Sequence, residues 1–261
     1  ESEHISKSII IDKTAPNVPT LEGVSDDWVN TDVVVTVKDI IDPVSGGVSA
    51  GVEKVEYTVN STPSENAGDG SFTINLTEEG TYDITAKVID KVGNVGETAT
   101  GTVKIDKTPP AISLTGIEEG SVYYNSVAPE YSATDEKAGL QACTATIKKD
   151  DGNENPFTSN TVVNEQGNYV IKVTATDKAG NESIKTLNFS INAPTAATIN
   201  ANAISPASIK LEWEAIEGST GYKVMDNGTE IDTIVENNYT HTGLNPNSEH
   251  TYTVVAYNPI G

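Results

Sequence analysis

The chain repeats itself. Residues 80–98, GTYDITAKVIDKVGNVGET, return as residues 167–185, GNYVIKVTATDKAGNESIK. The offset is a constant 87 residues, from Gly80 and Gly167 through Tyr82 and Tyr169, then Asp90 and Asp177, to Asn94 and Asn181. A second marker frames the first copy: IDKTAP at 11–16 and IDKTPP at 105–110. A period of about 90 residues is too long for one layer of a solenoid. It suits a string of small domains, each able to bury one modest core. The 261 residues then hold two or three units. Strings of small domains span distance or bind a partner, which already points away from catalysis.

Inside each copy, apolar residues recur at every second position. Tyr82, Ile84, Ala86 and Val88 share one parity; Asp83, Thr85 and Lys87 take the other. The second copy sets Tyr169, Ile171, Val173 and Ala175 against Val170, Lys172 and Thr174. This is the period of a half-buried antiparallel strand. Further strands are expected at 32–38, 53–59, 71–76, 98–105, 111–115, 128–134, 141–147 and 183–191, with no helical period anywhere. Boundaries fall at the two proline-bearing joints and at INAPTAATI, 191–199. The expected domains are 13–106, 107–193 and 194–261. Residues 1–12 read as the end strand of a preceding repeat, or as a linker. Proline directly after a closing strand limits φ and makes a short, stiff joint, so the domains are expected to form an extended rod.

Two resemblances rest on these motifs. The W-x-N-x-x-V-x-V-T-V run at Trp28–Val37, the G-x-Y-x-I start at Gly80, the D-x-x-G-N element and the closing I-D-K-T-x-P resemble bacterial immunoglobulin-like repeats over about 13–193. At Gly167 the same start reads G-x-Y-x-I again. The third unit resembles a fibronectin type III domain. IKLEWEAIEGSTGYKVMDNGTEI (209–231) supplies Trp213 and Tyr222 as core aromatics. NNYTHTGLNPNSEHTYTVVAYN (237–258) would place Leu244 and Tyr252 in a tyrosine corner. The sequence stops at Gly261, before the family's last strand. The resemblance implies an all-β fold of three tandem immunoglobulin-like β-sandwich domains.

The formal charge of −22 argues against nucleic acid and against anionic membrane surfaces. No run of about 18 apolar residues is present to span a membrane. The single cysteine, Cys143, excludes an intrachain disulfide and reads as a small buried thiol. Disulfide-free modules of this size lean bacterial. The chain is read as an internal piece of a longer exported protein, placed outside the cell at the wall surface or secreted.

Catalytic constellations are missing from the sequence. His4, His241 and His250 are the histidines, and Cys143 lies far along the chain from all of them. No nucleophile elbow, zinc-protease motif or phosphate-cradling loop occurs. Acidic residues do gather in the loops. An immunoglobulin-like sandwich brings the B–C and F–G loops to the end where the chain enters. Asp106 in the entry linker, Asp135 and Glu136 after one strand, and Asp177 after another should then converge. Asp12, Asp39, Asp42 and Asp90 repeat the pattern one domain earlier. Calcium takes six to eight oxygens from such groups, so these eight residues are candidate ligands at the domain junctions. The alternative is that each Asp caps its own turn, with Gly180 or Asn181 at positive φ, and that Asp106 pairs with a lysine such as Lys107. No cofactor is otherwise required.

Trp28 reads as a packed lid on a core strand, and of Tyr123 and Tyr124 one should face solvent. The function expected is a non-catalytic extracellular spacer or adhesion-type segment, with Asp12, Asp106, Pro16, Pro109 and Pro194 as joint residues. Its partners are other domains of the same chain and, beyond them, a host or matrix protein or a glycan. The alternative is an accessory module, binding protein or glycan, of a secreted polysaccharide-degrading enzyme.

Overall fold

The structure, a computed structural model, describes residues 11–260. Residues 1–10 of the expected end strand 1–12 lie outside these; Ile11 and Asp12 have irregular backbone. The described chain is all-β, without helices. It separates into two compact units. The first gathers residues up to Pro110 together with two later loop segments, 134–141 and 176–182. The second gathers 111–133, 142–175 and 183 onward.

In the first unit, a three-stranded sheet orders Thr20–Glu22, Val33–Lys38 and Phe72–Leu76. A five-stranded sheet orders Trp28–Val29, Ala99–Ile105, Gly80–Asp90, Val52–Val59 and Thr62–Ala67. The inward parity of each strand fills one core: Val35, Val37, Val55, Ile84, Ala86, Val88, Val103 and Ile105. The alternation in the Gly80–Asp90 strand runs one step past Val88 and ends on Asp90. A fully buried carboxylate thus occupies the last inward-facing position. Trp28 is half-buried on the short parallel pair that closes the sheet edge.

The second unit holds two cores. One sits under a five-stranded sheet ordered Ser121–Tyr123, Glu182–Ile191, Gly167–Asp177, Leu140–Lys149 and Asn155–Phe157, with a two-stranded sheet of Ala111–Thr115 and Glu130–Thr134. It contains Phe157, Tyr169, Ile171, Val173, Phe189 and Ile191, and the half-buried Cys143 packs against it. Burial pushes the Cys143 thiol pKa up, so the thiolate is disfavoured. The other core lies between two three-stranded sheets: Ile199–Ser205, Ser208–Trp213 and Asn238–Thr242 in one, and Thr229–Ile234, Gly221–Asp226 and Tyr252–Tyr257 in the other. Trp213 and Tyr222 meet there edge to face, with centroids 5.3 Å apart.

The tyrosine corner stands elsewhere than the sequence suggests. The Tyr252 hydroxyl meets His241 Nδ1 at 2.9 Å. The corner geometry appears instead at the start of the two repeated strands. The Tyr82 hydroxyl donates to the Glu78 carbonyl at 2.8 Å, and the Tyr169 hydroxyl donates to the Glu165 carbonyl at 2.7 Å. Each spans four residues and locks the turn into its strand. Neither tyrosine of the Tyr123–Tyr124 pair is fully exposed. Tyr123 packs on Phe189, and Tyr124 lies against Gly218.

Candidate functional site

Two acidic triads lie in the first unit, built to one plan. Asp12, Asp42 and Asp90 bring one carboxylate oxygen each to within 4.8 Å of one another, and so do Asp106, Asp135 and Asp177. Asp90, Asp106 and Asp177 are fully buried. Two of the eight residues expected as ligands stay outside. Asp39 and Glu136 are exposed and belong to neither triad. Asp39 takes φ 59° directly after the Val33–Lys38 strand, a local turn conformation. Glu136 follows Asp135 in a tight loop whose amides turn toward Asp135, which leaves the Glu136 side chain outward.

The plan starts with the linker aspartates. Asp12 accepts the Thr14 N–H at 2.9 Å on Oδ1 and the Ala50 N–H at 2.8 Å on Oδ2. Asp106 accepts the Thr108 N–H at 3.0 Å on Oδ1 and the Ala138 N–H at 2.9 Å on Oδ2. The next residue along each loop serves the second aspartate. The Gly51 N–H donates to Asp42 at 2.7 Å, and the Gly139 N–H donates to Asp135 at 2.7 Å. Backbone hydrogen bonds to the ionised form favour it, and the Thr14 and Ala50 amides hold the Asp12 carboxyl below its ordinary range. Asp106 does not pair with Lys107; that ammonium reaches Asp32 and the Thr77 carbonyl.

The third aspartate completes a clasp. Asp90 Oδ1 accepts the N–H groups of Val92 and Asn94, at 2.9 and 2.8 Å, and Oδ2 accepts the Asn94 side-chain amide at 2.7 Å. The same amide donates to the linker carbonyls of Asp12 at 3.2 Å and Thr14 at 3.4 Å. Asp177 and Asn181 repeat this. The Asn181 N–H meets Asp177 Oδ1 at 2.8 Å, and its side-chain amide meets Asp177 Oδ2 at 2.7 Å and the Asp106 carbonyl at 2.8 Å. Gly93 and Gly180, both at φ +92°, make the turn between Asp and Asn. An L side chain is disfavoured there, which explains the glycine in D-x-x-G-N. The entry linker of the third repeat uses a neutral variant. Asn258, buried, accepts the Ile260 N–H at 2.9 Å and donates to the Asn192 carbonyl at 3.3 Å.

Glu79 is a site residue that no motif in the sequence announces. It accepts the Lys107 N–H at 2.7 Å and the Thr108 hydroxyl at 2.8 Å, and it pairs with the Lys137 ammonium. Linker and loop are thereby tied through one carboxylate. The Lys137 ammonium first, then the Thr108 hydroxyl and the Lys107 amide, hold Glu79 down to about 2 from its ordinary 4.5. The folded value is the lower one, so the stabilisation is present above pH 4.5 and fades as the pH falls toward about 2. A carboxyl NMR titration of the folded chain should find the Glu79 midpoint near 2. It should move upward in Lys137→Met. A wild-type midpoint at the ordinary value would remove Glu79 from this arrangement.

Oxygens already held by amides can still coordinate a cation through their remaining lone pairs. Calcium–oxygen distances of about 2.3–2.6 Å allow ligand oxygens about 5 Å apart at most, which both triads satisfy. In the first triad, Asp42 Oδ1 is buried and has no hydrogen-bond partner among the described residues. Such an orphaned acceptor is costly unless something neutralises it. The residues therefore fit a hard dication.

The sheets and their paired clasps define a class: a tandem array of immunoglobulin-like β-sandwich modules. Residues 68–136 match the family model described as bacterial Ig-like domain (group 3), a stretch that includes Asp90, Asn94, Asp106 and Asp135. An uncharacterized 81.3 kDa protein of Acholeplasma phage L2 is 31% identical over 197 residues, covering 65% of this chain. The aligned part is 25% of the phage protein, so the chain spans about a quarter of that relative's length. Among solved structures, fibronectin(III)-like modules of Clostridium thermocellum CbhA align over 67% of this chain and 94% of theirs, at 15% identity and TM-score 0.31. Three N-terminal domains of the bacteriophage RB49 outer capsid protein Hoc align over 92% and 96%, at 9% identity and TM-score 0.34. Among the described residues, no helix is long and apolar enough to cross a membrane.

Proposed function

We propose that the chain is a non-catalytic, extracellular spacer segment of a longer protein, one that holds other modules in place, and that its two acidic triads bind calcium. The observation that carries this reading is the duplicated clasp. In both repeats a buried Asp and an Asn four residues later grip the backbone of the entry linker. Such a fastening serves position, because it spends buried polar groups on holding a linker. The bacterial Ig-like match and the acidic, disulfide-free composition support placement outside the cell. Glycan binding has less support: Trp213, Tyr169, Tyr222, Phe157 and Phe189 are all buried, and the exposed large hydrophobic side chains among the described residues are Ile and Val.

Calcium would offset two of the three carboxylate charges at each site and lock the linker to its loops. The test is thermal unfolding of the chain in EDTA and across a calcium titration. A ligand bound only by the folded state adds about 2.7 kcal/mol at a hundredfold excess over its Kd. Asp135→Asn keeps an oxygen for the Gly139 and Lys137 amides but removes one charge. It should be neutral or stabilising in EDTA, where it relieves like-charge repulsion, and destabilising in calcium. A flat calcium response in the wild type would leave the triads as hydrogen-bonded turn caps and end the metal reading, while the clasp stands or falls on Asp90.

A further inference from the structure

A different cluster lies in the last module. Asp226 ends the Gly221–Asp226 strand, His241 lies in the Asn238–Thr242 strand of the opposite sheet, and His250 precedes the Tyr252–Tyr257 strand. Their side chains are 12%, 21% and 14% exposed. His250 Nδ1 is 2.8 Å and His241 Nδ1 is 4.0 Å from Asp226 Oδ2. One ligand atom from each of the three lies within 4.8 Å of the others. From these groups we propose a binding site for a first-row transition-metal dication of the zinc type, distinct from the acidic triads.

The donor set selects the metal. Two imidazole nitrogens and one carboxylate suit zinc-class ions, whereas calcium prefers oxygen alone. Around a tetrahedral ion with bonds of about 2.0–2.2 Å, ligand atoms stand about 3.4 Å apart. The observed 2.8 and 4.0 Å bracket that spacing. The Tyr252 hydroxyl, 2.9 Å from His241 Nδ1, or a water would fill the fourth position.

The hydrogen bonding around His250 is compatible with such an ion. Ser248 Oγ lies 2.7 Å from the Asn245 carbonyl and 2.7 Å from His250 Nε2. The Ser248 N–H already serves the Asn245 carbonyl at 3.2 Å, so the Ser248 hydroxyl can accept from His250 Nε2–H. Asp226 Oδ2 only accepts. With Nε2–H given to Ser248, the Nδ1 lone pair is the one that faces an ion. A metal ion between His250 Nδ1 and Asp226 Oδ2 would take a lone pair from each. Asp226 Oδ1, buried and without a hydrogen bond among the described residues, leaves the carboxylate with unused capacity. A bound ion would cross-link the two sheets at this end of the sandwich.

The probe is Co2+, titrated into the intact chain and read by visible absorption. Carboxylate-only sites on an acidic protein leave Co2+ close to its weak six-coordinate spectrum. Ligation by His241 and His250 gives intense four-coordinate bands that saturate at one ion per chain and vanish on adding Zn2+. His241→Gln and His250→Gln should each weaken binding at least about tenfold, while His4→Ala and Asp135→Asn leave the bands intact. A wild-type spectrum that stays six-coordinate would overturn the proposal with no variant needed, and leave the cluster as a hydrogen-bonded group. Bands that survive both histidine substitutions would overturn it equally.

Discussion

Asp90→Ala should lower the stability of its module by about 3 kcal/mol, a large effect for one loop-end residue. The mutation strips acceptors from three donors: the backbone N–H groups of Val92 and Asn94 and the Asn94 side-chain amide. A buried donor left without a partner costs about 1–3 kcal/mol. Relief of charge repulsion within the triad returns part of the sum, so the net stays near the upper end of single-residue effects. Asp90→Asn should cost about half as much. It keeps an oxygen for the two backbone donors but points an amide at the Asn94 amide. The third entry linker shows that an asparagine can serve in such a place, since Asn258 both caps and fastens. Urea unfolding, with amide exchange read at Asn94, checks both values. A loss under about 1 kcal/mol for Asp90→Ala would mean that water replaces the clasp at little cost.

Gly218→Ala should be comparably damaging, for steric reasons. A Cβ placed on Gly218 would stand 2.0 Å from Tyr124 Cγ and 2.6 Å from Tyr124 Cβ. These are the root of the ring, which cannot swing away as a flexible tip would. The backbone at Gly218 also has φ +74°, costing about 1–2 kcal/mol for an L residue. With about 1–3 kcal/mol for overpacking, the expected loss is about 2–5 kcal/mol. Tyr124→Ala in the same chain should recover the steric share and leave the backbone share, a coupling that a double-mutant cycle isolates. A single variant within about 0.5 kcal/mol of wild type would refute the contact.

Much of the fold was legible because strand parity is a strong signal. The repeated strands and the Val33–Lys38 strand follow from alternation, and the Trp213–Tyr222 core from the fibronectin type III resemblance. The short edge strands Thr62–Ala67, Ser121–Tyr123 and Asn155–Phe157 did not stand out, since exposed edges bury too little to impose a pattern. Six of the eight acidic residues singled out lie in the triads, because an immunoglobulin-like sandwich brings the entry linker and these loops to one end of the module. The sequence pattern places Asp90 and Asp177 in loops, although each is the last inward position of its strand. Their parity carried that information. The Ala50–Gly51 and Ala138–Gly139 amides left no such trace, since a backbone donor has no side-chain signature. Glu79 and the Tyr124–Gly218 contact depend on residues far apart in sequence, which no local period reports.

The clasp grips its linker through main-chain carbonyls, those of Asp12 and Thr14 in one copy and of Asp106 and Thr108 in the other. The linker adds the Asp12 and Asp106 side chains, which accept loop amides. Both joints thus pair an Asp–Asn loop with a linker that carries an Asp-x-Thr step. The parts of the joint recur at different offsets, 94 residues for the linker and 87 for the Asp–Asn loop, so the joint is kept while the chain between its parts varies in length.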